Sequence, residues 1–218
     1  MARLARVVLP GVVHHVTQCG VRSMDLFYYD NDRKEYLFLL NQQAQRVGLR
    51  FVSYCLMTNH VHLLVIPLRE DSLRLGIGEA HRLYTRYINV REEAHGHLFQ
   101  ERFFSCPLDD SYFIAAARYV ERNPVRAGLC KKTEDHKWSS AKYHLGINKK
   151  SPLIDSRYDG IPPKKEWRRF LRDDPDNIEI LRQQFKIGRP LGSKKFIKKA
   201  EKLTGRNLSP QKPGPKKR

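Results

Sequence analysis

Residues 12–19 are rich in β-branched side chains and run into Cys19-Gly20, a pattern that predicts a strand. Asp30-Asn-Asp then offers an N-cap for a helix over about 32–47. Tyr36, Leu40, Ala44 and Val47 share one face of it, and Gly48 marks its end. Residues 49–57 and 60–66 read as two strands joined by the short Thr58-Asn59 connection. Asp71 or Ser72 opens a second helix to about residue 93, with Leu73, Ile77, Ala80, Tyr84 and Tyr87 at helical spacing. Gly76 and Gly78 weaken its first turns. Residues 97–108 read as a fourth strand despite their charges, and Asp109-Asp110-Ser111 caps a third helix that stops at Asn123, ahead of Pro124. The order β-α-β-β-α-β-α predicts an α+β fold, a ferredoxin-like split βαβ sandwich with one extra helix.

Charge adds a second layer. The 218 residues carry 41 Lys and Arg against 23 Asp and Glu, a net +18, which points to a polyanionic partner. Residues 186–218 alone hold 12 basic residues against one acid, Glu201. We therefore expect three regions: a globular domain over 1–145, a helical connector over 146–185 and a basic DNA-binding tail over 186–218. In that tail Arg189 sits between Gly188 and Pro190, placed to enter a minor groove, and the alternative is a solvated tail. No apolar run approaches the roughly 18 residues of a membrane span, and the N-terminal residues lack a signal-peptide apolar block. Cys19, Cys55, Cys106 and Cys130 form no CxxC, which argues against a zinc ribbon and for reduced thiols in a cytoplasm.

The chemistry concentrates in two places. In a strand His60 and His62 point the same way, roughly 6.6 Å apart at about 3.3 Å per residue, so they can converge on one metal. A pair of ordinary half-buried histidines satisfies the same pattern. On the last helix Phe113, Ala116, Ala117 and Val120 form the core face, while Tyr119 and Asn123 share a neighbouring stripe as an i,i+4 pair. An edge tyrosine and a helix-ending asparagine would look no different. RNA-recognition modules share this fold, but the aromatic run their central strand carries is absent here.

Taken together, the blocks resemble a known family. Cys55-Leu-Met-Thr-Asn-His-Val-His-Leu-Leu resembles the histidine–hydrophobe–histidine signature of single-tyrosine HUH transposases, the IS200-like group. Pro10-Gly-Val-Val-His-His-Val-Thr-Gln, Gly96-His-Leu-Phe-Gln-Glu-Arg-Phe and Arg118-Tyr-Val-Glu-Arg-Asn-Pro-Val-Arg-Ala-Gly-Leu look like further blocks in family order. With Gly188-Arg-Pro-Leu-Gly and the basic tail, the chain is most similar to REP-associated tyrosine transposases, tied to repetitive extragenic palindromes. It departs from their pattern at Cys19 and Val21, where an Arg and an Asn are expected.

That resemblance implies a bacterial, metal-dependent single-strand DNA endonuclease and transposase. Tyr119 is then the nucleophile on a catalytic helix, and His60, His62 and Asn123 hold Mg²⁺ or Mn²⁺. Arg102, Arg118, Arg122 and Arg126 lie near the site as candidates to hold the DNA backbone, with Arg189 in the tail. The implied partner is single-stranded or hairpin DNA, cleaved through a 5′-phosphotyrosine beside a palindromic hairpin. No small-molecule cofactor and no membrane are expected, a monomer is favoured over a homodimer, and the setting is the cytoplasm at the nucleoid. The competing reading is a non-catalytic hairpin-binding regulator derived from such an enzyme.

Overall fold

The computed structural model describes residues 5–209. Four strands, β1 (His14–Cys19), β2 (Leu49–Leu56), β3 (His60–Pro67) and β4 (Phe104–Pro107), form one antiparallel sheet in the order β2-β3-β1-β4. Helix α1 (Asp30–Val47) links β1 to β2, and α2 (Glu79–Arg91) links β3 to β4. This is the split βαβ arrangement, and α3 (Asp110–Glu121) is the added helix.

The sheet is covered on both faces, which is why β3 is nearly all apolar. Val61, Leu63 and Val65 pack beneath α1 and α2, with Tyr36, Leu40, Ile77 and Tyr84. Leu64 and Ile66 point the other way, to a second core with Phe113, Ala116, Ala117 and Val120 of α3. His60 and His62 fall on that second face by the same alternation.

Local rules account for most boundaries. Gly48 closes α1 in a left-handed conformation (φ 64°). The α1 cap differs from expectation: Tyr29 is the N-cap, and the buried Asp32 carboxylate accepts from the Tyr28 and Tyr29 amides. Asp109 caps α3 by accepting from the amides of Ser111 and Tyr112. The weakened start of the second helix is a π-helical turn, Arg74–Gly78, where Gly76 lies tight against Val47 and Leu49.

Two expectations are corrected. The long strand over 97–108 shrinks to β4, because Gly96 (φ 101°) and Glu101 (φ 55°) turn the backbone out of extended geometry. The third helix ends at Glu121 instead of Asn123. Arg122 caps it, and Asn123 begins a short α4 (Asn123–Arg126) with Pro124 in its first turn.

Beyond α4 come α5 (Ala141–His144), α6 (Lys164–Phe170), α7 (Ile178–Ile187) and α8 (Lys194–Thr204). Trp167 of α6 and Leu181 and Phe185 of α7 are buried in the same core as α3. Where a tail was expected, α8 buries Ala200 against Val7, Leu9 and Leu208. Leu191 bridges in parallel to Leu108, beyond the end of β4. Arg189 is therefore pinned near the sheet edge, not carried on a loose arm. Residues 210–218, the rest of the expected tail, lie outside the described residues. Cys55 and Cys106 are buried and all four thiols are free, with Cys19 exposed. Among the described residues no helix is long and apolar enough to cross a membrane.

Candidate active site

The second face of the sheet gathers histidines. The His60 and His62 rings lie 5.1 Å apart, perpendicular to each other. His15, on the neighbouring strand β1 and two residues from the partner of His62, shares a 2.9 Å hydrogen bond between its Nε2 and His62 Nδ1. His60 Nδ1 donates to Asn59 Oδ1 at 2.7 Å. Both Nδ1 atoms are thus engaged, and among the described residues neither Nε2 atom has a hydrogen-bond partner. Burial pulls His60 below its ordinary value. His62 falls further, through burial first and then the neighbouring His15, His60 and Arg126. Burial also takes His15 down to about 3. All three imidazoles are neutral at pH 7, the protonation state in which they can ligate a metal.

Helix α3 brings Tyr119 edge-on to this group, 5.5 Å from the His62 ring and 6.3 Å from His15. The Arg126 guanidinium lies 4.2 Å from the centre of the Tyr119 ring and donates to the Tyr119 carbonyl at 3.0 Å. A second cation arrives from α7. Arg182, held above its ordinary value chiefly by its hydrogen bond to Glu179, also interacts with the Tyr119 side chain.

Tyr119 is not at the edge of the fold. It is only 9 % exposed, because α7 lies over it. Phe185 stacks on His15 at 3.6 Å and meets Tyr119 at 5.4 Å. Helix α3 is anchored by Glu121, fully buried, whose carboxylate accepts from Trp167 Nε1 at 2.9 Å and Ser140 Oγ at 2.5 Å. It also pairs with His144 Nδ1 at 2.5 Å and reaches Ser53 of β2.

The expected residues separate into three groups. His60, His62, Tyr119 and Arg126 meet on the sheet face, and Asn123 is buried two residues past the end of α3. Arg118 and Arg122 turn instead to the segment between α6 and α7. Arg118 donates to the carbonyls of Phe170, Asp173 and Asp174. Arg122 donates to the carbonyls of Leu171 and Arg172 and pairs with Asp174. Arg102 and Arg189 line a separate cavity beyond β4.

Sequence reasoning did not single out His15, Asn59, Arg182 or Phe185. His15 was legible from strand parity in the His14-His15 block, while Phe185 carried no signal beyond that of an ordinary apolar helix position. Among the described residues no group of three His, Cys, Asp or Glu gathers to hold a metal, so any third ligand here is an amide or an added group.

The donor set fits a hard-to-intermediate divalent ion: two neutral imidazole nitrogens, with the Asn123 amide adjacent in the chain to α3. Neutral ligands leave such an ion's charge available to a phosphate.

Comparison with known proteins agrees with this architecture. The model for IS200-like transposases matches residues 11–123, which span β1 through Asn123. No curated protein sequence matches the chain. Among solved structures, a REP-associated tyrosine transposase bound to a REP hairpin has a similar fold, with a TM-score of 0.59 at 14 % identity. The alignment covers 74 % of this chain and 98 % of that one. A Deinococcus radiodurans protein assigned to the transposases aligns at a TM-score of 0.37 and 17 % identity, over 48 % of this chain and 84 % of its own. With more than half its length, from the first strand to the end of the tyrosine helix, matching that one model, the chain belongs to the IS200-like transposase family.

Proposed function

We propose that this transposase cleaves and rejoins single-stranded DNA beside palindromic hairpins through a 5′-phosphotyrosine on Tyr119. The observation that carries the reading is the convergence of Tyr119 on His62, with His60 alongside and, among the described residues, both Nε2 atoms uncommitted. The similar fold that was solved with a REP hairpin supports hairpin DNA as the partner.

The Tyr119 hydroxyl oxygen attacks the scissile phosphorus. A tyrosine O–P bond forms, the P–O3′ bond breaks, and the phenolic proton ends on the departing 3′ oxygen. A tyrosine hydroxyl of ordinary pKa near 10 needs help at neutral pH. His60, His62 and the Asn123 amide would hold Mg²⁺ or Mn²⁺, and the imidazoles favour Mn²⁺ in a mixed nitrogen and oxygen site. Bound there, such an ion would supply Lewis-acid polarisation of the scissile phosphate. Arg126, paired with Asp174 at 3.0 Å, and Arg182, paired with Glu179 at 2.6 Å, set guanidinium groups beside the tyrosine, where the phosphate must enter. The attacked ester is replaced by another, so attack by a second 3′-OH rejoins DNA without a nucleotide cofactor. Such chemistry takes place at the chromosome, in the bacterial cytoplasm. Because Phe185 and α7 cover Tyr119, the strand enters only after α7 shifts.

The same cover favours the second reading, a hairpin binder without cleavage. Incubation with Mn²⁺ and a labelled hairpin oligonucleotide separates the two on a denaturing gel. A covalent adduct lost in Tyr119→Phe is the expected result. No adduct from the parent protein, or an adduct that persists in Tyr119→Phe, refutes the proposal.

A further inference from the structure

The connection between β2 and β3 is held by the turn that follows β1. The Thr58 carbonyl accepts from the amides of Leu26 and Phe27, at 2.9 and 3.3 Å, and the Asn59 carbonyl accepts from the Gly20 amide at 2.9 Å. The same turn reaches the Asn59 side chain, whose Nδ2 donates to the Ser23 carbonyl at 3.2 Å. That carbonyl is presented by strained backbone. Arg22 (φ 51°) and Ser23 (φ 61°) both lie in the left-handed region, which residues other than glycine rarely adopt. Gly20 leaves room for the turn, since a Cβ there would run into the Met24 carbonyl oxygen. Strain of this kind persists only where the surroundings hold it, and it gathers at functional sites.

These bonds fix a direction. A carbonyl oxygen only accepts, so the Asn59 amide turns its NH₂ to Ser23 and its Oδ1 to His60. Oδ1 also only accepts, so the 2.7 Å bond requires the hydrogen to be on His60 Nδ1. A neutral imidazole carries one N–H, which leaves His60 Nε2 with a lone pair. His62 has no such lock. Its Nδ1 meets another imidazole nitrogen, His15 Nε2, and either ring can donate in that bond. Of the two histidines on β3, His60 alone is committed in advance to the form that binds a cation through Nε2.

We propose that Asn59 is a positioning residue for His60: clamped by the Ser23 carbonyl, its amide holds the ring in the Nδ1–H tautomer and keeps Nε2 free of hydrogen before any metal arrives. The consequence for metal binding rests on His60 as a ligand, which belongs to the reading above. The hold of Asn59 on the tautomer does not. Without the amide the hydrogen settles on either nitrogen, and part of the affinity for a cation is lost in selecting the right form.

The test is ¹⁵N NMR of the full-length protein with labelled histidine, in EDTA at neutral pH, and then Mn²⁺ titration of the metal-free protein read by electron paramagnetic resonance. His60 is assigned by the signals missing in His60→Gln. The metal-free parent should show His60 as the Nδ1–H tautomer. Asn59→Leu keeps the shape of the amide without its acceptor. It should lose that signature and weaken Mn²⁺ binding roughly ten- to a hundredfold. Asn59→Ala should do the same and serves if Asn59→Leu does not fold. In both variants adduct formation on a labelled hairpin should fall at limiting Mn²⁺ and recover as Mn²⁺ is raised, which a merely misshapen loop would not do. An Nε2–H tautomer in the parent overturns the assignment before any substitution is made. A tautomer that is unchanged in both variants overturns it too. An Nδ1–H tautomer that depends on Asn59, in a parent that binds no Mn²⁺, leaves the hold on His60 standing and removes the metal reading. Mn²⁺ binding that is lost in His60→Gln but indifferent to Asn59 does the reverse.

Discussion

Glu121→Ala tests how the tyrosine helix is held. The carboxylate, His144, Ser53, Ser140 and Trp167 are all fully buried, so no solvent replaces what the substitution removes. Breaking a buried pair from one side costs about 3–5 kcal/mol, and an orphaned Trp167 N–H adds about 1–3 kcal/mol of the same desolvation, only partly additive. We expect a loss of about 4–6 kcal/mol, which at roughly 2–4 °C per kcal/mol for a chain of this size lowers Tm by about 8–24 °C. Glu121→Gln should lose less: the serine hydroxyls can reorient to accept from the new amide, while its oxygen keeps the Trp167 bond. Urea unfolding at pH 7 and thermal melting measure both. Burial alone would raise the Glu121 pKa, but His144, Ser140 and Trp167 hold it below its ordinary value. Its contribution is therefore full above the unfolded carboxylate value, about 4.3, and is lost as pH falls through the lowered folded value. A loss below about 1 kcal/mol for Glu121→Ala, at unchanged m-value, would refute the account of α3 as anchored through this carboxylate.

Three further outcomes follow from the geometry. His60→Ala or His62→Ala should abolish adduct formation while hairpin affinity, read by anisotropy, stays within a few-fold of the parent. Full adduct yield in either variant would remove the histidines from the chemistry. Phe185→Ala removes the ring stacked on His15 and should raise adduct yield several-fold, because α7 then opens more readily over Tyr119. Its stability cost should fall below the about 3–5 kcal/mol of a fully coupled Phe→Ala core change, since α7 can open locally. Unchanged or lower yield on a denaturing gel would show that α7 does not limit access. His81, buried against Phe99 and the Tyr36 hydroxyl, has its pKa lowered by burial to about 3 from 6.5. Between those values the unfolded chain binds a proton that the folded one does not, so stability falls with pH by about 1.4 kcal/mol per unit from this residue. His81→Gln should flatten the slope of unfolding free energy between pH 6 and pH 4 by that amount, and an unaltered slope would assign the acid sensitivity elsewhere.

What could be read from the chain follows from how local each determinant is. The strand order, the α1 stop at Gly48 and the Asp109 cap depend on a few neighbouring residues, and each stands where the pattern put it. His60 and His62 share a face by strand parity alone. The fourth strand was misjudged because apolar spacing over 97–108 does not reveal that Gly96 and Glu101 adopt positive φ. Arg118 and Arg122 looked like free cations beside the tyrosine, but their partners are carbonyls and a carboxylate around 50 residues away, supplied only once α6 and α7 dock. Arg189 shows the limit most directly. Gly188-Arg-Pro-Leu reads as a loose arm, because Gly and Pro discourage regular structure, yet the same residues make the turn that lets Leu191 reach the Leu108 edge. Helix α7 packs against β1 and β4 on its way to that edge, and Phe185 lies on His15. The pinning of Arg189 and the covering of Tyr119 thus share one element: α7 packs against β1 and β4, and the Gly188 turn at its end leads straight into Arg189.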